Sequence, residues 1–115
     1  MPTEDDRSEI RDTFQELVNM TPSALEKWLA RDESRAAGQH KDGGESTGHA
    51  SGRAIVEILR KKKSDLSAAD YQHMRKVNGY IRRHLAQRPS GDVRDTRWRH
   101  SLMNWGHDPT PGKSD

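Results

Sequence analysis

Residues 67–89 read SAADYQHMRKVNGYIRRHLAQRP, and this stretch decides the fold. Ser67 stands where a helix N-cap belongs, with Asp70 at N3, Leu66 just before the cap and Tyr71 at N4. That is a capping box with Asp in place of Glu, joined to a hydrophobic staple. At about 100° per residue, Tyr71, Met74, Val77, Asn78, Ile81 and Leu85 share one side of the helix. Lys76 and Arg83 fall opposite, and Arg75 and Arg82 lie on one border. His73, Tyr80 and His84 line the other border. The pattern predicts a helix to about Gln87, ended by Pro89, long enough to organise the rest of the chain.

Upstream, Ile10, Phe14, Leu17 and Val18 recur at helical spacing over about 7–19. Thr21-Pro22 reads as an N-cap with Pro at the first helical position. The helix it opens carries Leu25, Trp28 and Leu29. Two short helices so close in sequence are expected to form a hairpin. Residues 32–52 hold five Gly and no large apolar side chain, and read as a long mobile loop. A third helix is expected over about 51–63, with Ile55, Ile58 and Leu59 as its stripe. Downstream of 67–89, residues 88–94 form a Pro/Gly turn. Trp98, Leu102 and Trp105 then mark a last short helix, with Asp95 as N-cap and Gly106 as stop. No period-two strand pattern and no repeat is present. The expected fold is all-α: one small helical bundle of four to five helices with a Gly-rich loop between helices 2 and 3. Residues 1–6 and 108–115 are expected to be disordered, flanking a helical domain at 7–107.

The chain has 115 residues, 30% hydrophobic and 33% charged. One domain with a small core fits that length and composition. Three Trp, two Tyr and one Phe must therefore supply much of the buried area. There is no Cys, which excludes disulfides, thiolate metal sites and thiol catalysis. No apolar run approaches the roughly 20 residues that span a bilayer, and no secretory signal is visible. The expected setting is cytoplasmic or nucleoid/nuclear, with no membrane partner.

The net charge of +2 conceals a split. Residues 1–50 carry 6 Lys/Arg and 11 Asp/Glu, and residues 51–115 carry 14 and 7. The second half has the footprint of a polyanion binder. The candidate contacts are Arg60, Lys61, Lys62 and Lys63 at the end of helix 3, Lys76, Arg82 and Arg83 on the long helix, and Arg53 at the loop-helix junction. Such cations fit a helix-turn-helix or a looser phosphate-binding face, and part of the 60–63 run simply complements a helix dipole. Trp98 lies between Arg97 and Arg99. Exposed, it would stack on a base; the commoner role for a Trp at that spacing is core.

Other chemistry has weaker grounds. Gly48 to Arg53 could cradle a phosphate, but the spacing is not that of a Walker loop, and Ser51 serves equally as a plain N-cap. Asp42, Glu45, Ser46 and His49 have acid, base or nucleophile groups with nothing to fix their geometry. The pairs His40/His49, His73/His84 and His100/His107 lack metal-ligand spacing. No catalytic residue, cofactor or metal is expected.

Several phrases carry a family resemblance: LEKWL at 25–29, KDGGES at 41–46, GHASGRAIVEILRKKK at 48–63, HMRKVNGY and RRHLAQRP between 73 and 89, and DTRWRHSLMNWGHDP at 95–109. Across about 14–109 the chain resembles the domain of unknown function 3140 family. The resemblance implies a single intact domain and tilts function towards DNA, since members are often labelled DNA-binding. It transfers no catalytic residues. Two functions stand: a non-enzymatic protein binding DNA, or RNA, mainly through phosphates, and a helical protein–protein interaction module whose partner is another protein or, in one version, a second copy in a homodimer that pairs acidic and basic halves.

Overall fold

The computed structural model describes residues 4–37 and 47–110. Six α-helices follow one another: α1 (Glu4–Leu17), α2 (Pro22–Leu29), α3 (Asp32–Ala37), α4 (Thr47–Arg60), α5 (Ala68–Leu85) and α6 (Arg97–Asn104). A 3-10 turn at Lys63–Asp65 joins α4 to α5. Among the described residues there is no strand, and the all-α expectation holds. No helix there is long and apolar enough to cross a membrane.

The long helix forms as its sequence predicts. The Ser67 side chain accepts from the Asp70 N–H, and the Asp70 carboxylate accepts from the Ser67 N–H, closing the capping box. Tyr71, Met74, Val77, Asn78 and Ile81 are buried. They meet Ile10 and Phe14 of α1, which lies along α5, and Val18 joins the same core just past the end of α1. On the other side of the core, Leu25, Trp28 and Leu29 of α2 pack on Ile55, Val56 and Ile58 of α4. Trp98, Leu102 and Met103 of α6, with Trp105 just after it, fill the space between the two pairs.

α1 and α2 therefore do not form the expected hairpin. Their connection is held by the far end of the chain. Met20 N–H donates to Gly106 O at 3.2 Å, and Asn19 exchanges two hydrogen bonds with the Asp108 backbone at 2.8 and 2.9 Å. Gly106 has φ +84°, and Val18 Cγ1 lies only 2.9 Å from where a Cβ would sit, so glycine is required both by backbone and by space.

The expected 32–52 loop is corrected at both ends. Residues 32–37 form α3, with Asp32 and Glu33 in the first turn, where negative charge is favoured. Its anchor is polar. Ser34 is fully buried and donates to Asn104 Oδ1, while its carbonyl accepts from Asn104 Nδ2 at 3.0 Å. α4 begins at Thr47, so Ser51 is a buried helix residue and not the N-cap. Gly52 serves close approach: an added Cβ would lie 2.5 Å from Asn104 O and 2.7 Å from Leu29 Cδ2. The middle of the loop, 38–46, lies outside the described residues, and with it His40, Asp42, Glu45 and Ser46.

Two boundary expectations are also corrected. α1 already begins at Glu4, inside the segment expected to be disordered. Asp108, placed in the disordered tail, is buried. Its carboxylate pairs with Arg99 at 3.2 Å, both side chains only about a tenth exposed, and accepts from Thr110 N–H and Oγ1. The α6 N-cap is Thr96, whose hydroxyl accepts from the Arg99 N–H at 3.2 Å, one residue beyond the expected Asp95.

Candidate nucleic-acid interface

The basic residues singled out from the sequence divide into separate groups. Arg60 bonds Glu26 of α2 at 2.7 Å, both side chains at least half exposed. Lys61 bonds Asp70 at 2.8 Å, and that hydrogen bond pushes the Lys61 ammonium above its ordinary value. Arg82 lines a cleft between α1 and α5 together with Asp6 and Glu9, so part of its field is offset there. Lys76 and Arg83 are exposed on α5, the Arg83 guanidinium reaching over Gly79. Arg53 is exposed on α4.

Lys62 and Lys63 enter a different environment. They sit at the mouth of the α4–α5 turn, where Lys62 holds an extended backbone before the 3-10 turn. With Ser64, Leu66 and Tyr71 they line an open cleft of about 550 Å³. Its opposite wall is Arg7 and Arg11 of α1. Arg11 Nη1 donates to Tyr71 Oη at 2.7 Å. The Arg7 and Arg11 guanidinium carbons lie 5.0 and 5.9 Å from the Tyr71 ring centroid, within cation–π range. Tyr71 is 3% exposed, so both arginines rest on a fixed ring. Four cations thus converge on one concavity, and among the described residues no carboxylate lines it or pairs with any of them.

Arg7 and Arg11 were not among the residues marked from the sequence. They belong to the half whose net charge is negative, and averaging by halves conceals them. The available signal was their i, i+4 spacing on the face beside Ile10 and Phe14.

Trp98 is core, 9% exposed, and its Nε1 donates to His84 O at 2.7 Å. It belongs to a column of stacked rings between α5 and α6. His84 stacks on Trp98 and on Tyr80, Tyr80 on Trp105 with centroids 4.1 Å apart, and Trp105 on His73. Burial lowers the His73 and His84 imidazoles below their ordinary values, despite the hydrogen bond that Ser51 makes to His73. Burial also lowers His100, which lies against Trp28. Among the described residues no group of three His, Asp or Glu side chains is placed to hold a metal ion. The Gly48–Arg53 segment is helical, so it is not a free loop of backbone donors.

The described residues thus form six α-helices of an all-α domain, with a cationic cleft where α1 meets the α4–α5 turn. Residues 13–103 match the profile of the family described as Protein of unknown function (DUF3140), and the chain belongs to that family. Lys62, Lys63 and Tyr71 fall within the matched span, and Arg7 and Arg11 precede it. No curated protein and no solved structure matches the chain significantly.

Proposed function

We propose that this chain is a non-enzymatic nucleic-acid-binding protein that holds its ligand mainly through phosphates. The observation that carries the reading is the convergence of Arg7, Arg11, Lys62 and Lys63 on one cleft that no carboxylate lines among the described residues. Guanidinium groups bind phosphate oxygens in bidentate fashion, and lysines add point charge. Two neighbours extend the surface. The exposed Arg60–Glu26 pair contributes only about 0–1 kcal/mol, so Arg60 can exchange Glu26 for a phosphate at little cost. Lys61 stands beside it. Lys76, Arg82, Arg83 and Arg53 remain candidate contacts on other faces. DNA is placed before RNA on the family resemblance alone, and the setting is wherever that nucleic acid resides.

The competing reading, a homodimer pairing acidic and basic halves, has less support. It rests on the charge split of the sequence alone.

The test is fluorescence anisotropy of a labelled duplex titrated across salt concentration. Each phosphate neutralised should add roughly 0.9 to the magnitude of the log–log salt slope. Reversing Lys61, Lys62 and Lys63 to Glu is expected to abolish binding at physiological salt. A folded triple variant that binds like the wild type would refute the assignment.

A further inference from the structure

We propose that the cleft between α1 and the α4–α5 turn is a phosphomonoester site, and that it takes the terminal phosphate of a nucleic-acid strand. This rests on the phosphate-binding reading above and narrows it. A backbone phosphodiester carries one negative charge and two free oxygens. The cleft is lined by four cations and by Ser64. A monoester carries about −1.5 to −2 charges and three acceptor oxygens near neutral pH, a closer match to that donor set. The volume, about 550 Å³, lies within the range of small-ligand sites and leaves room for the attached sugar.

The donors are also held in place before any ligand arrives. The Tyr71 ring supports both guanidinium groups, and its hydroxyl fixes Arg11. Ordering two long side chains in advance lowers the entropic cost of binding. Arg7 contributes a further sign: its Nε is buried and has no hydrogen-bond partner among the described residues. A buried donor left unmet is rare and raises the gain from an acceptor arriving nearby.

The experiment compares duplexes identical except at their ends: 5′-phosphate, 5′-hydroxyl, and a closed form with both ends capped by hairpins. Affinity is read by competition anisotropy. The phosphorylated ends should bind about tenfold more tightly than the hydroxyl ends, with the closed form equal to the hydroxyl form. Arg7→Gln with Arg11→Gln should erase the difference. Lys62→Gln with Lys63→Gln, on an exposed turn, should do the same and is independent of how α1 folds. Equal affinity for all three duplexes overturns the strand-end site and leaves the polyanion reading standing. Absence of binding to every duplex at low salt overturns both. Inorganic phosphate competing at the same concentration as the phosphorylated strand assigns the cleft to free phosphate and overturns the strand-end source. A phosphoserine peptide binding as tightly as the strand does so in favour of a protein partner.

Discussion

Replacing Asn104 by Leu tests how the helices around α6 are held. Asn104 is 1% exposed and its amide makes three hydrogen bonds. Oδ1 accepts from Trp28 Nε1 at 2.8 Å and from Ser34 Oγ, and Nδ2 donates to the Ser34 carbonyl. One side chain therefore joins α2, α3 and α6. Leu has similar size and meets none of these needs. Each of the three partners left unmet in the interior costs about 1–3 kcal/mol, roughly 3–9 kcal/mol together. Burying the leucine side chain offsets about 1.5–3 kcal/mol. The expected net loss is about 4 kcal/mol, a large part of the roughly 5–15 kcal/mol that holds a domain together. At about 4 °C per kcal/mol for a chain of this size, Tm should fall by about 15 °C. Urea unfolding followed by tryptophan fluorescence and far-ultraviolet circular dichroism measures the loss directly. Ser34→Ala alone should cost about 1–2 kcal/mol. The double variant should lose less than the sum, because its second change removes a group the first has already orphaned. A loss below about 1 kcal/mol for Asn104→Leu, or strict additivity in the cycle, would show that the amide does not hold these helices.

Gly52→Ala sets a helix-propensity gain of about 1 kcal/mol against a Cβ lying 2.5 Å from the Asn104 carbonyl oxygen. Backbone cannot yield cheaply there, so destabilisation of about 2 kcal/mol is expected on urea unfolding. Gly79→Ala is the control: the new Cβ meets mainly the flexible end of Arg83, and stability should rise by about 0.5–1 kcal/mol. Asp108→Ala strands the Arg99 guanidinium in a site about a tenth exposed, and should cost about 3 kcal/mol; a loss under 1 would contradict the pairing. Stability should also fall with acidification in two stages. His73, His84 and His100 are held below their ordinary values by burial, so their contribution is complete above about pH 6.5 and declines as pH drops below it. Burial alone would raise Asp108, but its bonds to Arg99 and Thr110 prevail and lower it, so its contribution persists to about pH 4 and is lost beneath. Flat stability between pH 7.5 and 5 would remove the histidine part.

How legible these features were depended on the kind of residue that fixes each one. α1, α4 and α5 carry large apolar side chains at helical spacing, and periodicity alone finds them. α3 has no such stripe. Its anchor is Ser34, whose partner lies 70 residues away, and no local pattern reports that. Gly48 and Gly52 look like flexibility because sequence does not separate conformational freedom from proximity to a neighbour. Here Gly52 meets backbone and Gly48 meets the Trp105 indole. The turn lysines of the cleft were visible as a charge run, but its arginines were concealed by the acids around them. Asp108 gave no signal: a lone acid beyond a helix stop reads as tail until Arg99 folds back to meet it.

The bonds joining Asn19 to Asp108 span 89 residues, and the one from His107 to the Leu17 carbonyl spans 90. They set an order of events during synthesis. Helices α1 and α2 leave the ribosome long before the segment that fixes the angle between them. Until Asp108 has been made and released, the α1–α2 joint has no clamp, and the apolar faces of both helices await α4 to α6. Folding of this domain is therefore completed only once its final helix is out, and the nascent chain must stay soluble until then. The first fifty residues hold 11 acids against 6 bases, and a net charge of that kind favours solubility through like-charge repulsion.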